Sequence, residues 1–306
     1  MNGPEKANLA ASVRQRLLNV SQRRGVEFQR VLRQYAQERL LYRLSRSEYH
    51  DRFTLKGALL FTLWSPEVHR STKDLDLLGR GSPAIETVVE IFRVLCATEV
   101  EPDGLVLHPD TVHGSEIREM EEYGGVRVTF LAVLDHARIP MQVDVGFGDP
   151  ITPEPMEVDF PVLLDLPAPR LRVYPPETVI AEKLEAMVSL GLDNSRMKDF
   201  FDLWLLSHRF EFDGRVLASA VAATFRRRGT RVPVRTPVAL TDAFSSDARK
   251  VTQWNAFLKR SAPTSDIPTL TAVVLRLSEF LLPIIQAIVE ERELAARWSP
   301  EEGWRG

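Results

Sequence analysis

The sequence predicts an α+β protein: a small mixed sheet with flanking helices, followed by a helical C-terminal part. Three observations carry this expectation. Segments of alternating, β-branched character fall between about residues 51 and 147. Prolines at 150, 153, 155, 161, 167, 169, 175 and 176 then mark a long irregular connection. Beyond Pro176, apolar residues recur at helical spacing. With 306 residues, 44% of them hydrophobic, the chain is long enough for a large core or two subdomains.

From Asn8 to about Ser47, apolar residues at helical spacing predict two amphipathic helices broken near Gly25. Residues 51–64 start extended and run into a short helix after Gly57, and KDLDLLG (73–79) predicts a short strand. A helix is expected from Pro83 to Ala97, because proline is tolerated in a first turn where its missing N–H has no partner anyway. Residues 126–134 and 139–147 predict adjacent strands joined by a turn around Asp135–Arg138, and the proline-rich connection has room for at most a short strand. Further helices are expected at 177–190, 197–208, 214–226 and 267–296, with a polar stretch of unassigned structure between 229 and 265. The expected organisation is an N-terminal helical segment (1–50), a sheet-bearing core (51–170) and a helical domain (171–306).

Composition excludes several classes. No run of about 18 uncharged apolar residues appears, and MNGPEKANLA lacks a secretory signal, so a cytoplasmic protein is expected. The single cysteine, Cys96, excludes an internal disulfide framework and a thiolate zinc site, and the six histidines show no metal-ligand spacing. Cys96 is expected to be a buried helix residue. The formal net charge of -3 hides two basic clusters: Arg14, Arg16, Arg23, Arg24, Arg30, Arg33, Arg39, Arg43 and Arg46, then Arg226, Arg227, Arg228, Arg231 and Arg235. They suit either a nucleic-acid backbone or a solvated helix face, and the sequence alone leaves both open.

The chemistry-bearing pattern is acidic. Asp74 and Asp76 lie two apart in the predicted strand, so both carboxylates face one side while Leu75 and Leu77 face the core. Like charges on one face repel unless a cation joins them, and magnesium or manganese suits hard oxygens that share the ion with waters or phosphates. Asp144 shares a face with Gln142 on a later strand otherwise suited to burial. It is either a third metal-binding carboxylate or the partner of an arginine. Gly57 permits close backbone approach to a triphosphate or simply makes a turn, and Arg70 and Thr72 could add phosphate contacts. Lys183 borders the apolar face of its helix, where it either snorkels outward or is held by an anionic partner. Asp199 opens the next helix, favoured there by the helix dipole, and Asp202 follows three residues on.

Together, LKGALLFTLW…HRSTKDLDLL, IPMQVDVGF, PPETVIAEKLEAMV and RMKDFFDLW resemble the AbiEii/AbiGii toxin family of nucleotidyltransferases, which includes the MenT toxins. The resemblance covers about residues 50–210. It implies a polymerase-beta-like nucleotidyltransferase core with a helical C-terminal part closing the nucleotide cleft. By the same resemblance, Lys56, Gly57 and Ala58 belong to the phosphate motif, and Asp74 and Asp76 are the metal-binding pair. Lys183 and Asp199 match the later catalytic residues, and Asp144 matches the third carboxylate. Ala58 departs from the pattern, where a second glycine or a serine is usual. The implied function is the toxin half of a bacterial toxin–antitoxin or phage-exclusion pair. Such a toxin uses Mg2+ and a nucleoside triphosphate, takes the 3′ end of tRNA as its expected acceptor, and has a cognate antitoxin as a partner. A protein or small-molecule acceptor, and a non-catalytic nucleotide-binding regulator, stand as alternatives.

Overall fold

The computed structural model describes residues 3–64, 73–117, 124–261 and 268–306. The chain divides into two compact units, one within residues 1–63, 71–148 and 156–173, the other within 64–70, 149–155 and 174–306.

The first unit begins with helices α1 (Gly3–Arg24) and α2 (Phe28–Arg46), separated at Gly25, where φ is +63°. Strand β1 (Phe53–Lys56) leads through one 3-10 turn into the short helix α3 (Leu60–Trp64). Then come β2 (Leu75–Gly79), α4 (Ile85–Ala97), β3 (Leu105–Ile117), β4 (Gly125–Leu134), β5 (Ala137–Phe147), β6 (Met156–Asp159) and β7 (Arg170–Val173). The sheet order is β3-β4-β5-β2-β1-β7-β6, with β2–β5 and β1–β7 parallel and the other pairs antiparallel. Strand alternation is strict in the hairpin β4–β5: Val126, Val128, Phe130, Ala132, Ile139, Met141, Val143 and Val145 are buried, while the residues between them line the opposite face. α4 covers β3 and β4, with Phe92 edge-on to Phe53 at 5.9 Å, and α2 covers β5. Cys96 is buried in α4, and burial pushes its thiol up to about 12.

β3 was not foreseen. Its sequence LVLHPDTVHGSEI interrupts alternation with Pro109 and Gly114, and its ladder to β4 shifts register between His108 and His113, a bulge that hides the period of two.

α2 is enclosed by α1, α4, β5 and β7, so its charged residues need internal partners. Arg39 donates to Asp103 at 3.1 Å and to the Pro167 carbonyl, Arg43 donates to Asp103 at 2.8 Å, and the Tyr35 hydroxyl donates to the Asp103 carbonyl at 2.6 Å. The first basic cluster is therefore not one surface: Arg39 and Arg43 are core residues, withdrawn from any nucleic acid by Asp103.

Glu38 lies in the same helix, accepting from the Leu163 N–H at 3.0 Å and from Gln34. Burial pushes its carboxyl from 4.5 to about 8, outweighing those two hydrogen bonds, which favour the charged form. The unfolded chain loses this proton near 4.5 while the folded one keeps it to about 8. The stability that this group contributes is thus full below about 4.5 and is lost as pH rises through about 8. Glu38→Gln is expected to melt near wild type at pH 5 and above it at pH 8.5, read by thermal denaturation. A gap that widens toward acid would contradict the assignment.

The second unit holds α5 (Pro176–Leu190), α6 (Met197–Arg209), β8 (Phe212–Asp213), α7 (Gly214–Arg227), α8 (Asp242–Ser245), α9 (Ala248–Ser261), α10 (Leu270–Val289), β9 (Arg297–Ser299) and β10 (Gly303–Arg305). The stretch left unassigned thus carries α8 and α9. The last helix is shorter than expected: it ends at Val289, and Glu291 just beyond takes a left-handed φ of +51°. Among the described residues, α10 is the one helix long and apolar enough to cross a membrane. It serves as the core of this unit: Val273, Leu277, Phe280, Leu281 and Ile284 are wholly buried, and Phe280 packs 4.5 Å from Trp298. In the second basic cluster, Arg228 also turns inward, donating to Glu185 at 2.8 Å with Asp149 and Glu182 nearby, whereas Arg226, Arg227, Arg231 and Arg235 are exposed.

Candidate active site

In the first unit, ladder register sets four charges in one row. Arg127 on β4 pairs with Asp144 on β5, Asp144 with Asp76 on β2, and Asp76 with Lys56 on β1. Cross-strand partners share a face, so two carboxylates on adjacent parallel strands stand between two cations. Leu75 and Leu77, on either side of Asp76, are buried on the other face.

Gly57 follows Lys56 directly and has φ +73°. A Cβ at this position would lie 2.0 Å from the Asp76 Oδ2 atom. Glycine is therefore required twice: for a left-handed backbone, and because the Asp76 carboxylate lies against the chain there. Gly57→Ala is expected to cost about 1–2 kcal/mol of stability from backbone strain. If Asp76 carries the chemistry that the family resemblance implies, activity should also fall by about 100-fold, because a carboxylate displaced by an ångström loses its alignment. Steady-state kinetics and urea denaturation on one preparation check both. Ala58, the departure from the family pattern, is buried in the turn that follows.

Asp74 is placed differently from expectation. The strand begins at Leu75, so Asp74 occupies a bend just before it and is not part of the ladder. The reason lies in α2: the Gln37 side-chain amide donates to the Lys73 carbonyl at 3.2 Å, binding this approach to the helix instead of to a strand. Asp74 lines a cleft of about 530 Å³ that continues over Gln142 and Thr129. Arg70 and Thr72 lie outside the described residues.

Both Asp144 oxygens are engaged by Arg127, at 2.8 and 2.7 Å, with Gln142 at 3.3 Å. Sequence reading missed Arg127. The hairpin has a two-residue turn, Asp135 and His136, and counting back from it pairs residue 127 with 144; a turn placed at Asp135–Arg138 blurs that register.

The second unit gathers the remaining candidates. Lys183 Nζ donates to Asp199 at 2.6 Å and lies 2.9 Å from Asp202, while Arg196 Nε donates to the other Asp199 oxygen at 2.6 Å. Asp199 is 0% exposed. Burial pushes its carboxyl upward, but Lys183 and Arg196 prevail and hold it below the ordinary aspartate range. Lys183 is held inward by anionic partners, Asp202 being the second of them, and local sequence pattern points neither Asp202 nor Arg196 to this cluster.

The sequence matches a known family. Residues 39–276, well over half of the chain, match the family described as nucleotidyl transferase AbiEii toxin, type IV TA system. The chain belongs to the AbiEii family of toxin nucleotidyltransferases. Its fold is similar to that of a candidate nucleotidyltransferase from H. pylori, at 17% identity and a TM-score of 0.52, covering 87% of this chain and 98% of that one. JHP933 from Helicobacter pylori is similar at 16% identity and a TM-score of 0.50, covering 87% and 95%. No curated protein shows a significant match. Membership of the AbiEii family makes the chain a nucleotidyltransferase of a toxin–antitoxin system, with a nucleoside triphosphate as substrate and an antitoxin as counterpart. Among the described residues no group of three or more His, Cys, Asp or Glu could hold a metal ion. Carboxylates few in number and hard in character fit magnesium, which keeps its waters and substrate phosphates and does not need an all-protein cage.

Proposed function

We propose that this AbiEii protein transfers a nucleoside monophosphate from a nucleoside triphosphate to the 3′ end of an RNA, with tRNA as the expected acceptor. The observation that carries the reading is the in-register pair Asp76–Asp144, with the Asp76 carboxylate seated against the Gly57 backbone. The acceptor hydroxyl forms a new bond to the α-phosphorus, the α–β bridging bond breaks, and pyrophosphate leaves. When bound, a divalent cation, magnesium or manganese, would be held by Asp74 and Asp76 and would neutralise charge on the entering and leaving oxygens.

The chain's own residues supply the rest. Asp144, kept in position by Arg127, accepts the hydrogen bond of the attacking hydroxyl and takes up its proton or orients it. Lys56, next to Gly57, offers positive charge to the phosphates. In the second unit, Lys183, held by Asp199 and Asp202, is the chain's other candidate for a charge-neutralising cation. Modification of a tRNA 3′ end would block aminoacylation, the route by which such a toxin would inhibit growth, and the reading takes the cytoplasm as its site of action. The test is incubation with each triphosphate separately and total RNA, followed by mass spectrometry of RNA 3′ ends. A single added nucleotide on tRNA is the expected result, whereas label on protein alone would overturn the RNA acceptor.

A further inference from the structure

The sheet separates two sides of Asp76. Toward β1 lies Gly57, the close backbone approach, and toward β5, β4 and β3 the same face continues into the 530 Å³ cleft beside Asp74. In-line displacement puts the entering and leaving oxygens on opposite sides of the α-phosphorus. If pyrophosphate leaves on the Gly57 side, the acceptor enters from the cleft side.

The cleft suits a polyanion. Arg33 of α2, Lys73 and Arg138 of β5 line it, against the single acid Asp74. Arg33 thereby acquires a role that the buried Arg39 and Arg43 of the same helix cannot have. Thr129 and Gln142 offer hydrogen bonds from paired positions on β4 and β5, and Leu131 and Pro140, the next outward pair, form an apolar step. The volume falls within the roughly 300–1,000 Å³ usual for small-ligand sites, room for a nucleotide or two.

A second feature shows that the cleft is built. At the β3 bulge the ladder to β4 is broken between His108 and His113, and Thr111 repairs it: its hydroxyl accepts from the Leu131 N–H at 3.0 Å and donates to the His108 carbonyl at 2.7 Å. The bulge sets Thr111 in the cleft wall while keeping the Leu131 N–H satisfied, as expected of bulges that re-aim a side chain beside a site.

We propose that this cleft seats the terminal nucleotides of a single-stranded RNA acceptor, with Arg33, Lys73 and Arg138 on its phosphodiesters and Leu131 and Pro140 under a ribose or base. The proposal rests on the RNA-transfer reading above and adds the acceptor's position to it. Charge favours RNA over a protein hydroxyl, because three cations and one acid suit a repeating phosphate better than an uncharged side chain.

The experiment is fluorescence anisotropy with a 5′-labelled RNA oligonucleotide carrying a free 3′ hydroxyl, across a salt series. Labelled transfer to total RNA by the wild type and the melting-temperature rise with magnesium and triphosphate are measured alongside. Arg33→Glu with Arg138→Glu is expected to raise the RNA Kd at least 10-fold and flatten its salt dependence by about 0.7 per lost phosphate contact, with the triphosphate-induced rise retained. Arg33→Gln with Arg138→Gln, which carries less folding risk, is expected to show a smaller effect of the same sign. Unchanged RNA affinity in both double variants would overturn the cleft assignment, and label on RNA in the same run would leave the transfer reading standing. Label on protein alone would overturn both. Displacement of the RNA by an acidic peptide of equal charge, at equal concentration, would overturn the assignment to nucleotides.

Discussion

Asp76→Asn is expected to lower nucleotide transfer by about 1000-fold or more, some 4 kcal/mol of transition-state stabilisation, while the protein folds as before. Asparagine matches aspartate in size, so the side chain still lies against Gly57 and the β2–β5 register is undisturbed. What disappears is the negative charge between Lys56 and Asp144, the charge on which a divalent cation would depend. The substitution removes repulsion from Asp144 together with attraction to Lys56, so without added cation the variant should melt close to wild type. Single-turnover transfer and a melt with and without magnesium and triphosphate check both halves. A variant that keeps a tenth of wild-type activity would place the chemistry elsewhere.

The largest stability effect is expected at Asp103, far from the chemistry in role. Asp103 is 3% exposed and faces Arg39, itself 1% exposed, and Arg43. Asp103→Leu strands both guanidinium groups in the core, and breaking such a buried arrangement from one side costs about 3–5 kcal/mol. The midpoint of urea denaturation should fall accordingly. Replacing Arg39 and Arg43 by methionine in the same background should restore much of the loss, because the cost lies in unpaired charge and not in the missing carboxylate. If the leucine variant alone is neutral, the cluster is more hydrated than its burial indicates. The effect also bears on the site, since α2 carries both these arginines and Gln37, the residue that holds the approach to the D-x-D pair.

Much of this was legible in the sequence, to a degree that follows from range. The two N-terminal helices, the break at Gly25, the extended run into a turn at Gly57, and the strands around residues 126–147 come from periodicities that hold within a few residues. β3 escaped because Pro109 and the bulge disrupt its alternation. α9 escaped because its polar character masked a helical stripe ending in the buried Trp254 and Phe257. The candidate residues were likewise chosen for local reasons: an acid alternating with leucines, an acid in an apolar strand, a lysine at the edge of an apolar helix face. None of those reasons names a partner.

The sequence by itself determined the fold class, the family and the same-face logic of Asp76 with its buried leucines, whereas the need for glycine at residue 57 came from its left-handed backbone and the Asp76 carboxylate against it. Only the tertiary structure decided that Asp76 stands beside Asp144, that Arg127 grips Asp144, that Lys183 belongs to Asp199 and Asp202, and that Arg39 and Arg43 are core residues while Arg33 reaches a cleft. A repeat along the chain tells a side chain which way to face. Which charge it meets there depends on segments far away in the chain, because the Coulomb and desolvation terms that settle a buried arginine or carboxylate depend on distance in space.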